Sequence, residues 1–179
     1  MVYARSVEQL ATTEHPSPIG KLRIAATPMG IVRIALPRAG GRGFTGWLQG
    51  ALPLAERLDW LPLLDKVCGE LDEYFAGKRR DFEVPVDLRG TAFQMDVWKA
   101  LRDIPFGKTS SYAEVARSLE RPRAARPVGT AAGANPVPIV IPCHRLIAVG
   151  GKLGGFTGGL EIKRKLLALE KAALPGGLL

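Results

Sequence analysis

Residues 135–147 read Asn-Pro-Val-Pro-Ile-Val-Ile-Pro-Cys-His-Arg-Leu-Ile. An apolar, strand-like run ends in Pro142 and delivers Cys143, His144 and Arg145 in succession. Cysteine attacks only as thiolate, so a nucleophilic Cys143 needs a nearby cation, base or helix N-terminus to lower its pKa. His144 and Arg145 are close enough in sequence to serve, yet neighbours in an extended chain point to opposite faces. The imidazole would therefore act on the sulfur across a turn or through a bridging water. A histidine in that role also needs a carboxylate on its other ring nitrogen. Glu161 and Glu170 flank the last helix, whose buried stripe is Ile162, Leu166 and Leu169. On these residues alone, chance adjacency of cysteine and histidine remains open.

Downstream, residues 150–159 hold six glycines in ten positions. Such a backbone can approach a ligand closely and offer its N–H groups. No Gly-Lys-Ser/Thr follows at the spacing of a phosphate loop; a loop folding over a flat aromatic group, with Phe156 beside it, is the better reading. Upstream, Phe93, Val97 and Leu101 form an apolar helical stripe beside Trp98, ended by Pro105. Ser111-Tyr112-Ala113-Glu114 has the spacing of a capping box, opening a short helix to about Leu119. A basic turn, Glu120-Arg121-Pro122-Arg123, leads to a second helix through Val128 that stops before Asn135-Pro136. Two short helices around a tight, arginine-rich turn suit a helix-turn-helix. The second carries Val128-Gly129-Thr130-Ala131-Ala132-Gly133-Ala134, with no long side chain to read base edges. That smoothness fits backbone contacts in a minor groove, and equally fits close packing against another helix.

The first 90 residues read differently. Leu22, Ile24 and Ala26, then Val32, Ile34 and Leu36, alternate about the turn Pro28-Met29-Gly30, which predicts a hairpin. Residues 39–43 read as a flexible loop. Leu64, Val67, Leu71 and Phe75 recur at helical spacing up to Gly77, and Phe82, Val84, Val86 and Leu88 alternate as an edge strand interrupted by Pro85. None of these residues carries evident chemistry; Cys68 on the helix reads as a small core residue. Of the 179 residues, 46% are hydrophobic and 23% charged, which excludes disordered and fibrous classes. No apolar run approaches the roughly 20 residues of a membrane span, and the N-terminus lacks a secretory signal, so a cytoplasmic location is expected. Two cysteines are too few for a disulfide framework, and no structural zinc is expected, because His15, Cys68, Cys143 and His144 lack the close paired spacing of such a site. Residues 1–90 carry 12 Lys/Arg against 11 Asp/Glu, whereas residues 91–179 carry 13 against 6. The basic half is expected to meet an anion, nucleic acid first.

Taken together, Ile-Pro-Cys-His-Arg, preceded by Asn-Pro-Val-Pro and followed by the Gly-rich loop and Leu-Glu-x-Lys, resembles the methylated-DNA–protein-cysteine methyltransferases, the O6-alkylguanine-DNA alkyltransferases of direct repair. The resemblance runs from Phe93-Gln94 through Val97-Trp98, Ile104-Pro105-x-Gly107, Ser111-Tyr112, Ala125-Arg126 and Val128-Gly129 to Leu166-Leu167-Ala168-Leu169-Glu170. Residues 1–90 match only in length and layout. The resemblance implies an α/β, ribonuclease-H-like N-terminal domain over residues 1–90. It implies a mostly α C-terminal domain over residues 91–179, with a winged helix-turn-helix.

It also implies the chemistry: an alkylated guanine flips out of duplex DNA, bound through its minor groove, and its alkyl group passes irreversibly to Cys143. O4-alkylthymine is a second candidate substrate. His144 would be the base through a water, Glu170 the carboxylate orienting it, and Tyr112 the proton donor to guanine N3. Asn135 would tie the helical pair to the reactive segment. Arg126 would be the finger replacing the flipped base, with Ala125, Gly129, Ala132 and Arg123 also on the DNA. Tyr112, Pro138, Cys143, Phe156 and Thr157 would line the base pocket. A monomer needing no cofactor and no metal follows. Three departures stand out: Phe156 replaces the usual tyrosine, the zinc ligands of some relatives are absent, and Pro127 is expected to start the second helix one or two residues late. Two rivals are a non-catalytic alkyl-DNA binder, disfavoured because Cys143 is present, and a cysteine hydrolase, which would turn over.

Overall fold

A computed structural model describes residues 8–37 and 43–171. Alternating apolar residues build a sheet in the N-terminal half. β1 (Gln9–His15), β2 (Leu22–Thr27) and β3 (Gly30–Ala35) form an antiparallel meander, and β4 (Glu56–Arg57) pairs parallel with β1. The strand order is β3-β2-β1-β4. Across the hairpin, Thr27 faces Gly30, which closes the turn expected at Pro28 and Met29.

Both sheet faces are covered. α1 (Gly43–Ala51) sets Phe44 and Leu48 against Leu10, Ala25 and Val32. α2 (Pro62–Phe75) brings Leu64, Val67 and Leu71 against Leu22, Ile24 and Ile34 on the other face. The hairpin and α2 lie where the periodicity puts them. α1 does not follow from the sequence, because three glycines interrupt its nine residues and glycine disfavours helix. Of the loop expected at 39–43, Gly43 opens α1 and the remainder lies outside the described residues. The strand expected at 82–88 reduces to one bridge, Ile31 to Val86. Ile31 donates to the Pro85 carbonyl at 2.9 Å and Asp87 donates to Ile31 at 3.0 Å. Pro85 has no N–H with which to extend a ladder.

The C-terminal half is helical. Its elements are α3 (Ala92–Arg102), β5 (Ser110–Ser111), α4 (Tyr112–Ser118), α5 (Ala125–Gly133), β6 (Leu146–Ile147) and α6 (Leu160–Leu169). β5 pairs parallel with β6. Capping boxes start α3 at Thr91 and α4 at Ser111. The buried Trp98 of α3 donates its indole N–H to the Ala131 carbonyl of α5 at 2.9 Å, locking the two helices together. Pro127 does not delay α5. The helix begins at Ala125 with Pro127 in third position, where the missing N–H would have had no intrahelical partner.

The two halves share one core. Ile34 and Tyr74 from the N-terminal side pack in the same cluster as Val97, Ile139, Ile141 and Leu166. The Ile34 N–H of β3 also donates to the Pro136 carbonyl at 2.9 Å, fastening the sheet to the segment that precedes Cys143. The result is an N-terminal mixed-sheet domain and a helical C-terminal domain. Among the described residues no helix is long and apolar enough to cross a membrane.

Candidate active site

The run before Cys143 is a tight turn, not a strand. Pro136, Pro138 and Pro142 withhold three amide donors, so no ladder can form along it. Pro138 bridges Ile141, and Ile139 sits at φ 78, a left-handed conformation that a β-branched residue adopts only when its surroundings impose it. Asn135 supplies part of that constraint. Its Oδ1 accepts from the Val137 N–H at 3.0 Å and its Nδ2 donates to the Ile141 carbonyl at 2.8 Å. The same Nδ2 lies 3.1 Å from Cys143 Sγ, so one amide side chain fixes the turn and donates to the sulfur.

Cys143, His144 and Arg145 form a single 3-10 turn. The Cys143 thiol is pushed up to about 11 by burial, against the opposing pull of the Asn135 hydrogen bond and the Lys163 charge. It is therefore protonated at neutral pH and needs a base at the moment of attack. His144 does not meet the sulfur directly. Its Nε2 lies 2.7 Å from Glu170 Oε1, and its buried Nδ1 has no hydrogen-bond partner among the described residues. A carboxylate can only accept, so Nε2 carries the proton and Nδ1 keeps its lone pair. Burial pushes the imidazole pKa down, and Glu170 opposes that shift.

Glu170 ends α6 and is itself buried. Oε1 accepts from His144, from Tyr74 Oη at 2.8 Å and from Arg145 Nη2 at 3.0 Å; Oε2 accepts from Arg145 Nε at 2.8 Å and from the Gly107 N–H at 3.1 Å. Burial alone would raise this carboxyl, but the hydrogen bonds and charges of His144 and Arg145 outweigh it and hold it at about 2. Gly107 has φ 73, and a Cβ there would stand 2.7 Å from the Glu170 carbonyl, so only glycine brings this amide so near. Arg145, a sequence candidate for activating the thiol, instead pairs with Glu170 and donates to the Ile104 carbonyl at 2.6 Å.

Both His144 and Glu170 have pKa values below those of the unfolded chain. Each therefore stabilises the fold above its unfolded pKa, and that contribution disappears as the pH falls. The window opens near 6.5 for His144 and runs from 4.5 to about 2 for Glu170. Thermal melts should hold steady between about pH 8 and 7, decline below about 6.5 and fall most steeply below about 4.5. A melting temperature unchanged from neutrality to about pH 4 would contradict this arrangement.

A cavity of about 260 Å³ opens above the sulfur, lined by Tyr112, Gly129, Ala132, Cys143, Phe156 and Thr157 among others. Tyr112 enters it because the capping box fixes the start of α4: Ser111 Oγ accepts from the Glu114 N–H at 3.1 Å, and Glu114 Oε2 accepts from the Ser111 N–H at 2.6 Å. Burial raises the phenol pKa while a hydrogen bond with the Gly155 backbone opposes it, and the group stays protonated. Gly154, at φ 66, passes so close that a Cβ would lie 2.7 Å from Tyr112 Oη. Thr157 Oγ1 donates to the Gly133 carbonyl at 2.9 Å, tying the Gly-rich loop to α5. Pro138 does not line this cavity; it is buried in the turn. A shallower groove of about 630 Å³ adjoins it along Tyr112, Ala125, Arg126, Gly129, Thr130 and Val149. Arg126 is exposed on its rim, whereas Arg123 lies exposed in the preceding turn and outside the groove lining.

Nothing in the sequence assigns Lys163 a role. A lysine on an amphipathic helix is ordinarily solvated, yet this one is fully buried. Its Nζ donates to the carbonyls of Leu146 at 2.6 Å, Gly155 at 3.3 Å and Leu153, holding the cavity wall to the Cys143 turn. Burial lowers its pKa to about 8, and the nearby Cys143 opposes that shift.

Comparison with known proteins identifies the family. Residues 92–172 match the family described as 6-O-methylguanine DNA methyltransferase, DNA binding domain, and residues 11–88 match its ribonuclease-like domain. The methylated-DNA–protein-cysteine methyltransferase of Mycobacterium tuberculosis is 50% identical over 125 residues, covering 68% of this chain and 76% of that protein. That of Mycolicibacterium paratuberculosis is 40% identical over 163 residues, covering 90% and 93%. A crystal structure of the Mycobacterium tuberculosis OGT in complex with DNA superposes with a TM-score of 0.76 at 39% identity, covering 94% of this chain and 96% of that one. By its sequence, its two-domain fold and these matches, the chain belongs to the methylated-DNA–protein-cysteine methyltransferase family.

Proposed function

We propose that the protein repairs DNA by moving the alkyl group of O6-alkylguanine onto its own Cys143, once per molecule. The observation that carries this reading is Cys143 in the lining of a cavity of about 260 Å³, followed in the chain by a neutral, Glu170-anchored imidazole and sharing the cavity with a protonated tyrosine. As Sγ attacks the alkyl carbon, the thiol proton leaves through a water to His144 Nδ1. The S–C bond forms and the C–O6 bond breaks, its electron pair staying with the base. Tyr112 gives its proton at guanine N3 and so neutralises the leaving anion. The thioether is stable, which makes the reaction stoichiometric. With duplex carrying a labelled O6-methyl group, protein-bound label should rise to about one equivalent per chain and stop, because no step regenerates the thiol. Continued release of product would favour a hydrolase instead.

In this reading residues 1–90 are a ribonuclease-H-like support and residues 91–179 bind DNA as a monomer in the cytoplasm. α4 and α5 act as a helix-turn-helix, with β5, β6 and the following loop as its wing. The small-residue face of α5 and the adjoining groove suit backbone contacts along a minor groove. Arg126 would fill the place of the flipped base. Its planar guanidinium can stack and still donate to the orphaned partner. Arg126→Ala should slow transfer on saturating duplex by about tenfold or more, a loss of roughly 1.4 kcal/mol in the barrier. On free O6-alkylguanine, where nothing is flipped, it should react at the parent rate. Parent-like rates at saturating duplex would remove the finger role and leave a phosphate contact.

A further inference from the structure

We propose that Tyr74 is a positioning residue of the alkyl-transfer relay, supplied by the N-terminal domain: its hydroxyl donates to Glu170 Oε1 at 2.8 Å, the same oxygen that accepts from His144 Nε2–H at 2.7 Å. The inference rests on the reading of His144 and Glu170 as the base system for Cys143. Tyr74 lies on α2, 96 residues from Glu170 in sequence, and its side chain is fully buried. The ring is wedged among Phe75, Phe82 and Phe106, with centroids 5.3, 5.5 and 6.1 Å away. Those contacts need only a phenyl group. The hydroxyl is an added polar atom in an apolar core, where it must find an acceptor, and it finds the one carboxylate on which the relay depends.

This has a chemical consequence. Three donors converge on Oε1: Tyr74 Oη, His144 Nε2 and Arg145 Nη2. The charged and titratable groups facing the relay are Tyr74 from α2, Arg145 from the reactive turn, Lys163 from α6, and Glu170 itself. Of these, Tyr74 is neutral, and burial together with the adjacent Glu170 charge keeps it so. Each donor draws electron density from Oε1 and lessens its hold on a protonated imidazole. Tyr74 thus keeps His144 weakly basic, ready to accept from the thiol yet unprotonated at rest. It also keeps the carboxylate from turning away from Nε2.

The test is the pH profile of single-turnover transfer by the full-length chain with Tyr74→Phe, which preserves the ring packing. Without the hydroxyl, Oε1 stabilises imidazolium more strongly, so the acid limb should move to higher pH by about half a unit or more. The plateau rate should fall by about three- to tenfold, a fraction of what a positioned base supplies. Duplex affinity should be unchanged. In a Glu170→Gln background the same substitution should no longer move the limb. A merely structural role would lower the denaturation midpoint and leave the limb in place, which would overturn the proposal. Should Tyr74→Phe fold poorly, 3-fluorotyrosine at position 74 keeps the fit and strengthens the donor; the limb should then move to lower pH, and an unmoved limb would again refute the idea. Failure of the parent protein to transfer alkyl at all would instead refute the underlying relay.

Discussion

Cys143→Ala is expected to abolish alkyl transfer while leaving duplex affinity within about twofold of the parent, because backbone contacts to DNA lie away from the sulfur. Cys143 is 9% exposed, on the inner side of the cavity, whereas the groove proposed to meet DNA is lined by Ala125, Arg126, Thr130 and Val149. Cys68 cannot take over. It lies on α2, away from the cavity, and its thiol is pushed up to about 11 by burial and by the charges of Asp72 and Asp65. Transfer measured with labelled duplex, and affinity measured with the same duplex unlabelled, separate the two properties. Residual transfer by the variant would remove Cys143 as acceptor. A collapse of affinity would mean that the sulfur's surroundings also shape the DNA surface.

Glu170→Gln should have the second largest effect, on rate and stability together. The amide keeps the size of the carboxylate but removes its charge, leaving Arg145 buried at 4% exposure without a counter-ion. Breaking one side of a buried ion pair costs about 3–5 kcal/mol, a large share of the roughly 5–15 kcal/mol that holds a domain folded. His144 loses the charge that stabilises its protonated form, so transfer should fall by about 10²-fold or more at neutral pH. The denaturant midpoint reports the first effect and single-turnover rates on folded protein report the second. The acid decline in stability between pH 4.5 and about 2 should also flatten, since the group that titrates there is gone. A variant as stable and as fast as the parent would show that Glu170 neither supports Arg145 nor anchors His144.

The chain discloses its local features and hides its long-range ones. Adjacency alone leaves Cys143 and His144 without a role, which only the family resemblance supplies, whereas the start of α4 at Tyr112 is legible because a capping box needs only four residues. The Gly-rich loop marks Phe156 as a covering residue and the resemblance adds Thr157; both line the cavity. The hairpin and α2 follow from periodicity alone. By contrast, the turn at Ile139 reads as a strand because Val-Pro-Ile-Val-Ile has strand composition; the prolines and Asn135 override it. Tyr74 falls outside the stripe Leu64, Val67, Leu71 and Phe75, and its polar end matters only because tertiary packing brings α2 to the end of α6. Lys163 misleads as well: it looks solvated, and three backbone carbonyls that no local pattern foretells take it inside. Arg145 reads as a partner of the thiol next to it, but a carboxylate 25 residues away holds it.

One sulfur in this chain should become the final resting place of the alkyl group. Peptide mass spectrometry after incubation with duplex containing O6-methylguanine addresses it directly. The peptide carrying Cys143 should gain the mass of one methyl group in the same molar amount as guanine restored in the DNA, and the peptide carrying Cys68 should be unchanged. Restored guanine with an unmodified Cys143, or a methyl group found on any other residue, would contradict the account.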